Sequence, residues 1–264
     1  MTRMQRRSFI GATAATLAVL ALPGISWAGE APAPSSPEFP AWVMNQIDDM
    51  HRGKSSHGVM SMTVKTEHWT RNLSMETWSR GQDYSLVRIL APKKEKGTAT
   101  LKNGEDLFTY LAKTGRTVKI SGAMMGGAWM GSHFTNNDLV KSSRLVDDYE
   151  ITLSGKKTIE GVAHYVFTLM PKPDAAVVWG KIVILVRPDD LLPTREIFYD
   201  EDGEAVRQLE FKDYAEVSGR TMARSIVVRP MDGSGEYTRI VYDKIDFDVD
   251  LPTSMFTIAH LKSM

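Results

Sequence analysis

The first regular pattern along the chain is helical. Between Phe39 and Arg52 the apolar residues Trp42, Val43, Ile47 and Met50 share one side, and Asn45, Gln46, Asp48 and Asp49 fall opposite. That spacing predicts one amphipathic helix ending near Gly53. Beyond it the period changes to two. Met60, Met62 and Val64 alternate with Ser61, Thr63 and Lys65, and Trp69, Leu73 and Met75 share one face of the next segment. Segments 84–90, 97–102, 105–111 and 116–120 continue the series, with Asn103-Gly104 and Thr114-Gly115 as tight turns. The alternation then stops. Residues 122–131 carry four glycines among three methionines and a tryptophan, and Thr135-Asn136-Asn137-Asp138 is a helix-start signal for a short helix from 138 to about 144. Strand patterns resume at 148–153 and 163–170. The run 182–186 is five consecutive branched aliphatics, as expected of a strand covered on both faces. Further strands are predicted at 194–199, 205–214, 220–229 and 236–249, with turns at Glu201-Asp202-Gly203 and Asp232-Gly233, and one helical turn closing 252–264.

The total is about eleven strands and two or three helices, with no alternation of strand and helix. The expected fold is mainly β, in one domain over 41–264. An antiparallel sheet of that size has to curl to cover its apolar face, giving a half-open barrel whose concave side is plugged by the first helix and by the Gly/Met-rich insertion.

The first 28 residues change the picture of where this domain works. Arg6-Arg7 precedes an apolar run from Ile10 to Leu22, then Pro23-Gly24 and Ser26-Trp27-Ala28. These are the charged region, apolar region and small-residue cleavage site of an export signal, and the arginine pair points to the twin-arginine route. As a membrane anchor, a run of 13 residues is too short for a hydrocarbon core of about 30 Å. Cleavage after Ala28 would leave a Pro/Ala/Ser-rich linker over 29–40 and a periplasmic domain. Lys plus Arg equals Asp plus Glu at 32 each, so nothing in the charge calls for nucleic acid or an anionic membrane surface. The chain has no cysteine. That excludes disulfides, thiolate metal sites, cysteine nucleophiles and a lipid-modified cysteine, so release as a soluble species with only transient membrane contact is expected.

A search for chemistry is largely negative. There is no G-x-S-x-G, H-E-x-x-H, P-loop or dinucleotide-binding glycine pattern. His51, His57 and His68 lie close in sequence without metal-ligand spacing, and His133 beside the Gly-rich loop has no evident partner. Asp246-x-Asp248-x-Asp250 lacks the glycine and distal glutamate of a calcium loop and reads as a strand's solvent face. Lys93-Lys94-Glu95-Lys96 is a solvated loop or a docking patch. No cofactor is implied. The Gly/Met-rich segment stands out because glycine gives backbone freedom and methionine adapts to varied apolar partners. It reads as a hinged lid facing a ligand.

The residues also carry a resemblance. Arg88-Ile-Leu-Ala-Pro92, Lys96-Gly97-Thr98, Leu101-Lys102, Leu107-Phe-Thr-Tyr110, Val118-Lys-Ile120, Trp129-Met-Gly-Ser132, Phe134-Thr-Asn-Asn-Asp-Leu-Val140 and Asp147-Asp-Tyr149 follow in an order that resembles the LolA-like outer-membrane lipoprotein-sorting family. The resemblance implies a LolA/LolB-like half-open barrel with a helical lid around a cavity for acyl chains or another lipid. It also implies an exporter partner of the resistance-nodulation-division or ABC type, and a buried arginine that holds the lid. Neighbouring residues do not single that arginine out; Arg88 and Arg116 are the candidates.

The leading expectation is a non-enzymatic periplasmic carrier of a lipid or of lipoprotein acyl chains, working toward the outer membrane. Its cavity lining would be Met60, Met62, Leu73, Met75, Trp78, Met124, Met125, Trp129, Met130 and Phe134, although the parity of Trp78 sets it opposite Leu73 and Met75. A periplasmic sensor or an accessory module of an exporter complex is the alternative. An enzyme acting on lipid lacks a nucleophile–base pair.

Overall fold

Thirteen strands form one antiparallel sheet in a computed structural model that describes residues 31–141 and 145–263. The export signal lies outside the described residues. Helix α1 (Phe39–Arg52) leads into β1 (Ser55–Lys65), β2 (Thr70–Arg80), β3 (Tyr84–Ala91), β4 (Ala99–Asn103), β5 (Asp106–Leu111) and β6 (Arg116–Lys119). Two single 3₁₀ turns, α2 (Asn136–Lys141) and α3 (Leu145–Asp148) follow. The chain then forms β7 (Tyr149–Ile159), β8 (Val162–Pro171), β9 (Lys181–Val186), β10 (Pro193–Tyr199), β11 (Ala205–Val217), β12 (Arg220–Pro230) and β13 (Tyr237–Phe247), and ends in α4 (Ile258–Ser263). Every patterned segment becomes its own strand, so there are two more than the expected eleven or so.

The spatial order is β6-β5-β4-β3-β2-β1-β13-β12-β11-β10-β9-β8-β7. Every pairing joins strands adjacent in sequence except that of β1 with β13, which joins the two halves. At that seam the backbones approach closely: a Cβ on Gly58 would lie 2.7 Å from the Lys244 carbonyl oxygen. Tight turns carry the meander, and Gly104 (φ +62°) and Gly203 (φ +83°) sit in the left-handed region their turns require. The sheet curls without closing, leaving β6 and β7 as edges. Residues 120–148 connect those two edges, so the Gly/Met-rich insertion belongs to the open side of the curl. Its helix forms over Asn136–Lys141, two residues earlier than the pattern predicts, because Thr135 acts as the cap.

Two elements fill the concave face. Helix α1 buries Phe39, Val43, Met44, Ile47 and Met50 against Tyr165, Phe167, Leu169, Ile182, Ile184 and Val186 of β8 and β9. It begins at Phe39, so the last two residues of the expected linker are helical, with proline in the first turn, where its missing N–H is not needed. The second filler is the insertion. Across the sheet from it, residues of opposite parity on β3 and β4, Leu86, Ala99 and Leu101, pack with Leu251, Phe256 and Leu261 of the C-terminal segment. That segment is a 3₁₀ turn plus α4, more than the single turn expected.

Candidate functional site: a lidded cavity

Strand parity turns Met60, Met62 and Val64 of β1, Leu73 and Met75 of β2, and Ile89 of β3 to the concave side, where they form one buried cluster. The insertion closes onto this cluster. Trp129 is 3 % exposed, and Met130, Phe134 and Leu139 pack around it. Burial of the indole is matched by a hydrogen bond: Trp129 Nε1 donates to Thr100 Oγ1 of β4 at 3.1 Å.

Further polar ties hold the insertion to the sheet. Thr135 and Asp138 form a reciprocal cap: the Asp138 N–H donates to Thr135 Oγ1 at 3.2 Å, and the Thr135 N–H donates to Asp138 Oδ2 at 2.6 Å. Asp138 is also gripped from β11. Arg207 donates through Nη1 to Asp138 Oδ2 at 2.7 Å and through Nη2 to Oδ1 at 2.6 Å, and Nη1 also reaches the His133 carbonyl at 3.2 Å. The arginine is buried, with its guanidinium 4.3 Å from the ring centroids of both Trp179 and Phe198. From β2, Arg71 Nη1 donates to the Met130 carbonyl at 2.8 Å, and Nη2 pairs with Glu95. Met130 has φ +49°, a conformation of the kind a fixed partner has to hold in place. His133 donates its N–H to the buried Thr238 Oγ1 of β13 at 3.0 Å, and its ring nitrogens lie 2.8 Å from Thr238 Oγ1 and 3.2 Å from Glu236 Oε2. The lid is therefore fastened to both halves of the sheet.

Between lid, α1 and sheet remains a cavity of about 330 Å³. Much of its wall is apolar: Met44 and Ile47 of α1, Trp129, Phe134 and Leu139 of the lid, and Phe198, Leu209 and Ile245 of the far half-sheet. Polar groups line it as well. Arg52 Nε and Nη2 each donate to Asp48 Oδ1 at 3.3 Å, and the hydroxyls of Ser56 and Ser79 bond one another at 2.7 Å. Glu196 of β10 also faces the cavity, and burial pushes its carboxyl up to about 7. No histidine lines the cavity among the described residues. Nor do the described residues contain a group of three or more His, Cys, Asp or Glu able to hold a metal ion.

A family model described as "uncharacterized protein"-like matches residues 81–263. The chain belongs to that family. The matched region covers the lid, Glu196 and Arg207 but not β1, and β2 falls before its first residue. Comparison with curated proteins finds no match. Three solved structures share the fold. A DUF1329 family protein from Desulfovibrio piger is 24 % identical with a TM-score of 0.75, over 83 % of this chain and 96 % of that one. A putative outer membrane lipoprotein-sorting protein domain from Vibrio parahaemolyticus is 22 % identical at 0.75, over 86 % and 100 %. A LolA superfamily protein from Nitrosomonas europaea is 20 % identical at 0.72, over 84 % and 98 %. The chain shares its fold with these structures, a LolA superfamily protein among them, as the resemblance implied.

The ten expected lining residues separate within this fold. Met60, Trp129 and Phe134 line the cavity. Trp78 borders it too, yet its ring is engaged on the convex side, stacked on His57 at 5.4 Å with the Arg88 guanidinium 5.5 Å away, as its parity requires. Met62, Leu73 and Met75 are core residues, because the closed lid covers the strand face they share. Met130 packs on that same cluster, Met125 packs against Leu107 and Ile120, and Met124 is 48 % exposed.

The two candidate arginines do not hold the lid. Arg88 pairs with Glu76 at 2.8 Å on the convex face, and Arg116 is exposed on edge strand β6. Arg207 and Arg71 take that place. Glu95, the acidic member of the basic run, serves as the partner of Arg71. Asp248 is no calcium ligand: it leaves the strand at φ +56°, accepts the Lys54 N–H at 3.0 Å and pairs with Arg220 at 2.8 Å.

Proposed function

We propose that this protein is a periplasmic carrier that takes an acyl chain of a lipid or lipoprotein into the cavity between α1 and the lid and releases it when the lid opens. The observation that carries the reading is the partly open, largely apolar cavity beneath a lid fastened by polar ties. Its volume falls at the lower end of the roughly 300–1,000 Å³ typical of small-molecule sites. Each buried methylene contributes about 0.8 kcal/mol. A chain of about ten carbons would thus gain roughly 8 kcal/mol, against an association cost of about 4 kcal/mol or more. The net, about 4 kcal/mol or less, corresponds to a dissociation constant of about 1 mM or weaker, a loose hold that suits delivery better than retention.

Opening would break directional bonds at Asp138, Met130, His133 and Trp129. That is a change an inner-membrane exporter or an acceptor membrane could bias. The described helices include none long and apolar enough to cross a membrane. Carriage rather than catalysis also fits the site's hydroxyls, since Ser56 and Ser79 bond one another rather than a base. The test is native mass spectrometry with lipid extraction on protein purified from its own periplasm, followed by incubation of the loaded protein with acceptor membranes. A co-purifying acyl lipid that moves to the membranes is the expected result. Protein that carries no lipid and takes none up would overturn the reading, and retention of lipid with binding to a partner would mark a sensor instead.

A further inference from the structure

The cavity's ionisable groups do not balance. Asp48 is matched by Arg52 on the same helix, and Asp138 by Arg207 in a two-pronged pair. Glu196 has no such partner. Its side chain makes no hydrogen bond or ion pair to a described group. Its direct cross-strand neighbours are apolar, Leu209 on β11, which also lines the cavity, and the fully buried Ile184 on β9. Its diagonal neighbour Arg207, opposite Phe198, lowers the carboxyl's pKa in part but is itself held by Asp138. Phe198, two residues on, points the same way. Two tyrosines of other elements face the cavity as well, Tyr149 of β7 and Tyr242 of β13. Burial pushes both phenols up, so they stay uncharged near neutral pH. The excess is one carboxylate in an apolar wall, with nearby cations already engaged.

Resting on the reading of this cavity as an acyl-chain site, we infer that its ligand is an amphiphile with a cationic amine head, which Glu196 receives as counter-ion and hydrogen-bond acceptor. An ammonium head supplies the missing positive charge and up to three donors. A fatty-acid carboxylate or phosphate head would instead meet a like charge. An alcohol head would be tolerated without being selected.

Dodecylamine, dodecanol and dodecanoate separate these possibilities because they share one chain. Binding below the aggregation limit can be followed by fluorescence of Trp129 and Trp179, which both line the cavity. At pH 8 the amine should bind about tenfold tighter than the alcohol, and the carboxylate more weakly than both. Lowering the pH to 5.5 should protonate Glu196 and shrink the amine's advantage to about twofold or less. That profile uses the wild-type protein alone. Glu196→Gln should bring amine and alcohol affinities together at both pH values. Amine binding no tighter than alcohol binding, or a preference for the carboxylate, would overturn the head-group assignment and leave the carrier reading standing. An amine preference that survives in Glu196→Gln would remove Glu196 as its source, and so overturn the inference as well. Failure of all three probes to bind would overturn both readings together.

Discussion

Two elements plug the same concave surface, and they are held by different physics. Helix α1 is seated by burial. Phe39, Val43 and Met44 are nearly inaccessible, and the partners beneath them are branched aliphatics and aromatic rings with few alternative packings. Its polar ties to the sheet lie near its C-terminal end, where Arg220 reaches the Asp49 carbonyl at 3.1 Å and Gln82 reaches Asp48 at 3.3 Å. The lid rests on three methionines, Met60, Met62 and Met75, and contributes a fourth, Met130. Flexible thioethers pack in several ways, so they tolerate both a covered and an uncovered state better than a close-fitting core does. The position of the lid is then set by directional bonds from Arg71, Arg207, Thr100 and Thr238. Burial resists opening in proportion to area, whereas directional bonds can be exchanged for water or for a partner. On the proposed carrier reading, the contrast makes α1 the fixed wall of the cavity and the lid its moving one.

The largest expected effect is on the fixed wall. Phe167 is fully buried, 6.2 Å from the rings of both Phe39 and Tyr165. Phe167→Ala should destabilise the whole domain by about 4 kcal/mol, read as a shifted denaturant midpoint. A loss smaller than that of any lid variant would remove the basis of the contrast.

Next comes the moving wall. Arg207→Ala leaves the half-buried Asp138 without its buried partner and frees the His133 carbonyl, an effect of about 3 kcal/mol concentrated in the lid. Hydrogen exchange should accelerate across 124–139 while amides of β8 and β9 keep their protection. Uniform acceleration would mean that lid and sheet open as one unit.

Much of this architecture was legible in the sequence, because alternation records which strand face is apolar. The strands, both principal helices and the lid's capping residues follow from spacing alone. What alternation does not record is which element covers a given face. Parity turns Met62, Leu73 and Met75 to the concave side, yet the closed lid makes that face core, and the open space lies farther along, against α1, other parts of β1 to β3, and β10 to β13. Signals for the missed residues were present. Glu196 shares parity with Phe198, and Arg207 shares parity with Leu209 and Phe211, so each is a charge on an otherwise apolar face. A charge in that position has to be paired or facing a ligand. Arg207 turns out to be paired. The partner lies 69 residues away in the lid, a separation that local patterning does not bridge.

The smallest effect concerns the boundary between the two walls. The Glu196 carboxyl is raised from 4.5 to about 7 by burial, so the folded state holds its proton more tightly than the unfolded chain does. Below about pH 4.5 both states are protonated and the group contributes no pH dependence. As pH rises from there to about 7 the unfolded state ionises freely and the folded state does not, so stability falls and then levels off. Glu196→Gln removes that loss. The variant should match the wild-type protein near pH 4.5 and exceed it by about 2 kcal/mol at pH 8, measured as a growing difference in thermal midpoint. The size of this difference also reports on the lid. If the lid is the wall that excludes water from Glu196, Arg207→Ala should shrink the gap, since hydration relieves the burial that creates it, although loss of the nearby positive charge acts the other way. Measuring the gap in Arg207→Lys, which keeps the charge but cannot make the two-pronged bond, separates the two. A smaller gap there assigns dryness of the cavity to the lid; an unchanged one assigns it to α1 and the sheet.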